Sequence, residues 1–138
     1  MTKKEIVQYL KQNMPTFTGN KIEKEKKMAM YIYLELGKMK AFDEKYFFGN
    51  SKTKDKIYKM AKCAKYNVDS VAKKKKIVCV SLTYLCKSIY SEFGIKSYIS
   101  TPNGGDKHIY NIIQFSDGKN IKADLQQDLS NIQTKSRT

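Results

Sequence analysis

Tryptophan is missing from this chain, arginine occurs once (Arg137), histidine once (His108) and proline twice. Without Trp, the core has to be assembled from Ile, Leu, Val, Met, Phe and Tyr. No apolar run approaches the ~20 residues that a membrane span requires; Ile77-Val78-Cys79-Val80 is typical in being only a few residues long. The opening residues, Met1 to Glu5, are basic but lead into no apolar stretch, so no secretory signal is read there. The cytoplasm is the default compartment, and the mature form of an exported protein would read the same. Cysteine is scarce as well: Cys63, Cys79 and Cys86 make an odd number with no CxxC pair. That pattern argues against a disulfide framework and against a structural zinc site, and it leaves free thiols in a reducing compartment as the expectation.

What the chain has in excess is lysine. With 27 basic and 13 acidic residues in 138, the net charge is +14. Such a balance raises nucleic acid as a partner. Readers of bases and phosphates favour the bidentate fork of Arg, however, and here the cations are almost all Lys, spread along the chain. The one dense run, Lys73 to Lys76, is the segment a nucleic-acid binder would use. The expectation is a weak, salt-sensitive affinity for anionic surfaces and no specific nucleic-acid partner. A hydrophobic content of 41% is enough for the chain to fold, and its length suits one domain over 1–138, either minimal or a piece of a longer polypeptide.

Periodicity divides the chain into a helical part, about 1–66, and a second part, about 77–128. Thr2 to Asn13 predicts a short amphipathic helix with Ile6, Val7 and Leu10 on one side, and Pro15 to Asn20 a loop. Lys21 to Lys38 predicts a longer helix with Ile22, Ala29, Ile32, Tyr33 and Leu36 inward and Gly37 as its stop. Tyr31 and Tyr33 read as core. Phe42 to Asn50 is aromatic-rich and ends in a turn; Lys52 to Lys65 predicts a helix burying Ile57, Met60, Ala61 and Ala64; Tyr66 to Lys76 reads as a polar connection. Cys79 to Phe93 then predicts a helix with Leu82, Leu85, Ile89 and Phe93 on one stripe, closed by Gly94. Lys96 to Thr101, His108 to Phe115 and Asn120 to Leu125 predict three strands. They are separated by the loop Pro102 to Asp106 and by a turn at Asp117-Gly118. No element is predicted after Asp128. Helices followed by an antiparallel meander make an α+β layout.

The second part also carries a chemical constellation. A thiol nucleophile has to be held as thiolate, with a base in reach and a partner that orients the base. Cys79 falls at a predicted helix start, where free backbone N–H groups and the positive dipole end favour an anion and can hold an oxyanion. His108 opens a strand after the Gly104-Gly105 loop, and Asp124 lies on the next strand, where cross-strand neighbours stand ~5 Å apart. A turn centred on Asp117-Gly118 pairs residues summing to about 235, which sets Asp124 opposite Asn111 and about three places away from His108. A bulge or a longer loop is then needed to bring them together. Asp106 and Asp128 are rivals to Asp124. Asn67 and Ser70, before Cys79, are candidates for an oxyanion-holding side chain; Cys63 and Cys86 read as packing thiols, and Gly104-Gly105 as a mobile rim.

The segment Val78 to Leu85, continuing to Phe93-Gly94-Ile95-Lys96-Ser97, resembles the core motif of transglutaminase-like proteins: a Cys opening an apolar helix, then Gly-Ile and a strand. His108-Ile109-Tyr110-Asn111 is similar to the family's His-aromatic-Asn strand, and Ile121-Lys122-Ala123-Asp124 to its strand ending in Asp. The order Cys, His, Asp and the spacings of 29 and 16 residues fit, over about Ile77 to Leu125. Ile77-Val78 stands where the family often has a small residue, and the Trp common near its Cys or His is absent, so that aromatic cover falls to Tyr66, Tyr84 or Tyr110.

The resemblance implies a papain-like α+β core with Cys79, His108 and Asp124 as the catalytic triad and no metal or organic cofactor. It implies thiolate attack on an amide or related acyl carbon of a peptide or protein, through a thioester. Water as second substrate makes a cysteine peptidase or amidohydrolase, the first expectation; an amine makes a transglutaminase. Two further readings stand beside it: a non-catalytic binding module that uses its basic surface on a protein, and a nucleic-acid-binding domain. The sequence sets no oligomeric state.

Overall fold

A computed structural model describes residues 1–101 and 108–136. The predicted loop Pro102 to Asp106, with Gly104-Gly105 and the rival Asp106, lies outside the described residues. Helix α1 (Lys3–Asn13) starts at Thr2 and α2 (Lys21–Met39) at Asn20. In each, the cap side chain accepts from the N–H of a Glu three residues on, and that Glu accepts from the cap N–H. Reciprocal caps of this kind satisfy two orphan donors of the first turn, and losing the cap side chain costs about 1 kcal/mol. Helix α2 outruns the stop expected at Gly37. That glycine lies inside the helix and does not end it; a Cβ there would meet Leu125 Cδ1 at an ordinary contact distance of 3.5 Å.

After α2 the chain forms β1 (Ala41–Phe42), α3 (Glu44–Phe48) and α4 (Ser51–Lys62), the last capped by Asn50. A 3-10 turn, Cys63–Lys65, follows. Ala61 and Ala64 are buried as expected, but Met60 and Cys63 are exposed, because the inward stripe of α4 is narrower than the sequence implied. The stretch expected as a bare connection, 66–76, holds α5 (Val68–Ala72) and β2 (Lys76–Ile77). Strand β2 pairs parallel with β1, Ala41 opposite Lys76 and Phe42 opposite Ile77. Both strands are two residues long, below what alternation can signal.

Lys40, at the end of α2, fixes this region. Its side chain is buried (7% exposed), and its ammonium donates to the carbonyl oxygens of Ala72 at 2.6 Å and Lys74 at 2.7 Å. Those carbonyls belong to the end of α5 and the turn into β2, which would otherwise lack partners. Burial holds the Lys40 pKa below its usual value.

Helix α6 (Cys79–Glu92) is the central element; α1, α2, α4, α5 and α7 all touch it, as do β3 and β4. Leu82, Leu85, Ile89 and Tyr90 are essentially inaccessible to solvent, each burial worth ~1.5–3 kcal/mol of transfer free energy. Gly94, at φ 71°, closes the helix in the left-handed conformation, with the Gly94 N–H donating to Ser91 and the Ile95 N–H to Tyr90. Strands β3 (Lys96–Ser100), β4 (Tyr110–Gln114) and β5 (Asn120–Ala123) form an antiparallel sheet in that order. Asn111, Ile113 and Phe115 point from it to the interior. The chain then turns into α7 (Leu125–Ser136), a helix not foreseen, since it carries only a few apolar residues; among the described side chains, Leu125 and Leu129 are its buried apolar ones. The architecture is α+β. No helix among the described residues is long and apolar enough to cross a membrane.

Replacing Lys40 by Met keeps the apolar stem but leaves two buried carbonyls without their donor. The expected loss is about 2–3 kcal/mol. It is read as a lower urea midpoint at unchanged slope; an unchanged midpoint would mean that water replaces the ammonium.

Candidate active site

Cys79 is the first residue of α6, as predicted, and is buried at 8% exposure. The cap residue before it, Val78, is extended (φ −112°, ψ 173°) and has no side-chain acceptor for the first-turn amides. Ser81 instead serves Val78 itself: its hydroxyl accepts from the Val78 N–H at 3.2 Å and donates to the Val78 carbonyl at 2.9 Å. The helix start is thus held firm by a side chain that occupies none of the first-turn donors.

His108 stands just before β4, two residues earlier than a strand would place it, and Asp124 just after β5. The two meet: His108 Nε2 and Asp124 Oδ2 are 2.6 Å apart, with the imidazole half-buried and the carboxylate buried. The geometry needs neither a bulge nor a longer loop. The hairpin pairs Asn111 with Ala123, which is one residue off the expected register and puts Asp124 beside Tyr110. Where β5 ends and α7 begins, the carboxylate swings out to reach His108 on the diagonal. Asp124 is also the first-turn cap of α7, its Oδ1 accepting from the Gln127 N–H at 3.2 Å. One oxygen is thereby anchored on the helix and the other on the base, so neither can rotate without breaking a bond. With Nε2 facing the carboxylate, Nδ1 is the nitrogen left for proton transfer.

The helix and the strand are stitched together one turn above Cys79. Thr83 Oγ1 donates to the Ile109 carbonyl at 3.2 Å, and Asn111 Nδ2 donates to the Thr83 carbonyl at 3.0 Å, with Thr83 and Asn111 both buried. Ile109 follows His108 directly, and its backbone also hydrogen-bonds the Cys79 thiol.

The thiol departs from the expected thiolate. Burial pushes its pKa up, and this outweighs the hydrogen bond from the Ile109 backbone and the backbone amides of Val80 and Cys79 that pull it down; the negative charge of Asp124 adds to the rise. The helix-start effect argued from sequence is present, but desolvation is larger.

Tyr46 of α3 is a neighbour that sequence reading did not single out. Its hydroxyl pKa is raised by burial and by the proximity of Cys79. Its only signal was the aromatic density of 42–50. Of the three tyrosines considered for cover, Tyr66 is 85% exposed and covers nothing, Tyr84 packs against the core, and Tyr110 lies 6.0 Å, centroid to centroid, from the imidazole. Asn67 and Ser70, the candidates for an oxyanion-holding side chain, stand at the start of α5: Asn67 Oδ1 accepts from the Ser70 N–H, and the Ser70 hydroxyl donates back to the Asn67 carbonyl. Asp128 is taken by the Tyr33 hydroxyl rather than by His108. Cys86 is fully buried, with its thiol pushed up to about 12, and packs as expected. Among the described residues, no cluster of three or more His, Cys, Asp and Glu is placed to hold a metal ion.

No protein-family model, curated protein or solved structure matches this chain.

A raised thiol pKa means that the folded state holds the proton more tightly than the unfolded one. That contribution is complete below the unfolded value of about 8.5 and is lost as pH climbs through the folded value. Cys86 acts in the same direction, so Cys79→Ala isolates the share of Cys79. Between about pH 7 and pH 10 the wild type should lose stability relative to this variant in urea melts. The reverse trend would show that the native site favours the thiolate.

Proposed function

We propose that the chain is a thiol-dependent acyl-transfer enzyme, a cysteine peptidase or amidohydrolase acting on peptide or protein amides, with Cys79, His108 and Asp124 as its triad. The observation that carries this reading is the 2.6 Å His108–Asp124 pair, held beside a helix that opens on Cys79. The order of these parts along the chain, and a Cys-bearing helix packed on an antiparallel sheet, support a papain-like core of the transglutaminase-like kind.

The buried thiol defines the mechanism. Cys79 rests protonated, so His108 acts as general base within the attacking step and not as partner of a standing ion pair. As Sγ bonds to the acyl carbon, the thiol proton passes to Nδ1 of His108, and Asp124 stabilises the imidazolium through Nε2. The carbonyl oxygen takes up the electron pair and is met by the first-turn amides of α6 that Val78 leaves without a side-chain cap. Collapse expels the amine, which leaves with the proton from His108, and the product is a thioester on Cys79. Water, deprotonated by His108, then releases the acid; an amine in its place gives transamidation.

The burial of Cys79 favours one competing reading, a fold without catalysis that recruits a partner through its basic surface. The two separate on acylation by p-nitrophenyl acetate, measured in a Cys63→Ser background that removes the exposed thiol. The enzyme reading expects a stoichiometric burst of nitrophenolate, an acetyl group mapped to Cys79 by mass spectrometry, and a rate lowered about 10²–10⁴-fold in His108→Ala. A Cys79 that stays unmodified until the protein is unfolded, or that reacts at the same rate without His108, leaves the binding module.

A further inference from the structure

Strand β5 is an edge of the three-stranded sheet, and no strand among the described residues pairs with its outer side. The register says which backbone groups face outward. The Phe115 N–H donates to the Lys119 carbonyl, so hydrogen-bonded pairs alternate from there through Ile113–Ile121 to Asn111–Ala123. Asn120 and Lys122 belong to the other set, and their N–H and C=O groups point away from β4, toward the free edge.

Along that edge runs a groove between β5 and α2, with a volume of ≈ 540 Å³, inside the range of about 300–1,000 Å³ typical of ligand sites. Its walls are apolar. Ile121 faces the same side of the sheet as its cross-strand partner Ile113, yet Ile113 is 3% exposed and Ile121 48%: α6 covers the row only as far as β4. Across the groove, Met30 of α2 is 53% exposed. Lys26 and Lys119 are the basic residues on its side, while Lys122 lines it by its backbone stretch and sends its ammonium to the opposite face of the sheet, 4.4 Å over the Tyr110 ring. Of its nearby acids, Asp128 accepts from Tyr33, and Asp117 lies 4.0 Å from Lys26. The C-terminal end of the groove, at Ala123, abuts Asp124.

We propose that this groove docks an extended acidic segment of the substrate polypeptide, which adds to β5 as a fourth strand. Its backbone bonds the outward groups of Asn120 and Lys122, alternate apolar side chains enter between Ile121 and Met30, the intervening carboxylates meet Lys122 on the opposite face, and those at the segment's ends come within the field of Lys26 and Lys119. A free backbone edge, an apolar wall on one face and like-signed cations at the rim are together what strand addition requires, with main-chain bonds for affinity and alternate pockets for selectivity. A compact small molecule would leave the edge unused. The identification of the segment as substrate rests on the acyl-transfer reading; the docking itself does not.

The test uses the full chain as Cys79→Ala, so that binding is read without turnover. The probe is a fluorescein-labelled nonapeptide, Gly-Glu-Val-Glu-Leu-Glu-Val-Glu-Gly, followed by anisotropy. It should bind, and a version with Lys for every Glu, or with Gly for Val and Leu, should bind at least about tenfold more weakly. Met30→Glu, at an exposed helix position, should weaken binding about tenfold. Lys122→Pro removes an outward N–H without touching a rung to β4, and should bind several-fold more weakly than Lys122→Gln, which loses the charge alone. The proposal is overturned if the acidic probe does not bind, if its Val- and Leu-free version binds equally well, or if both Met30→Glu and Lys122→Pro leave affinity unchanged. Equal affinity of the Val- and Leu-free version would assign the binding to net charge. Acylation of Cys79 by p-nitrophenyl acetate does not use the groove, so a reactive Cys79 beside absent peptide binding rejects the groove alone.

Discussion

The site depends on how a helix is registered against a strand, and two hydrogen bonds at Thr83 set that register. One turn above Cys79, the Thr83 hydroxyl and carbonyl engage Ile109 and Asn111, the residues that flank the start of β4. These polar groups are buried, so a slip of the helix by one turn, or of the strand by two residues, would leave each without a partner at a cost of about 1–3 kcal/mol per group. Apolar packing of Leu85 and Ile89 is less demanding, since neighbouring aliphatic positions can exchange contacts. The polar stitch therefore selects one alignment among several that the core would accept, and that alignment brings the chain at His108 next to the start of α6.

Asp124 extends the same economy. A residue between a strand and a helix is obliged to cap the helix, and a carboxylate has two oxygens. One answers the Gln127 amide; the other is left at a fixed angle and meets His108. Helix α7, which looks like an afterthought in the sequence, is thus part of the site: without it the carboxylate would be free to turn about its side-chain bonds. Leu125, the next residue, packs against the helix face that Gly37 leaves open, so α2 in turn fixes where α7 begins.

These couplings explain what could be read from the sequence and what could not. The helix of Cys79 to Glu92, its glycine stop and the three strands are written in local periodicity and turn chemistry, and they stand in the expected places, with each strand one to three residues shorter than expected, so that His108 and Asp124 fall just outside theirs. The types of the candidate residues were legible because Cys, His and Asp in that order carry a chemical logic. Their distances were not. Counting from an assumed turn centre misplaces a register by one residue, and a residue just past a strand end is free to point along a diagonal that no pairing rule foresees. Helix α7 and the pair β1–β2 escaped because each is too short or too polar to show a period, and both are stabilised by tertiary partners: Leu125 by Gly37, and the turn before β2 by the ammonium of Lys40. Cys63 was misjudged for the opposite reason, since helical spacing marks a face but not how far the cover over that face extends.

The thiol marks where local and global electrostatics part. A net charge of +14 would lower every acidic pKa if charge acted at long range, yet surface lysines are screened within about 8–10 Å at physiological salt. What Cys79 feels is its own burial, a few backbone dipoles and the carboxylate of Asp124, and the sum favours the neutral thiol. A neutral buried thiol is a poor nucleophile and also a poor target for oxidants, because both reactions need the thiolate. On the proposed acyl-transfer reading, such a site would stay protected at rest and meet the ionisation cost only when a carbonyl occupies the helix start. There the charge would move from sulfur to an oxygen facing the first-turn amides, and the proton to an imidazole held by Asp124. On that reading activation would belong to the substrate-bound state, since the carboxylate that holds His108 in place also disfavours the free thiolate at rest.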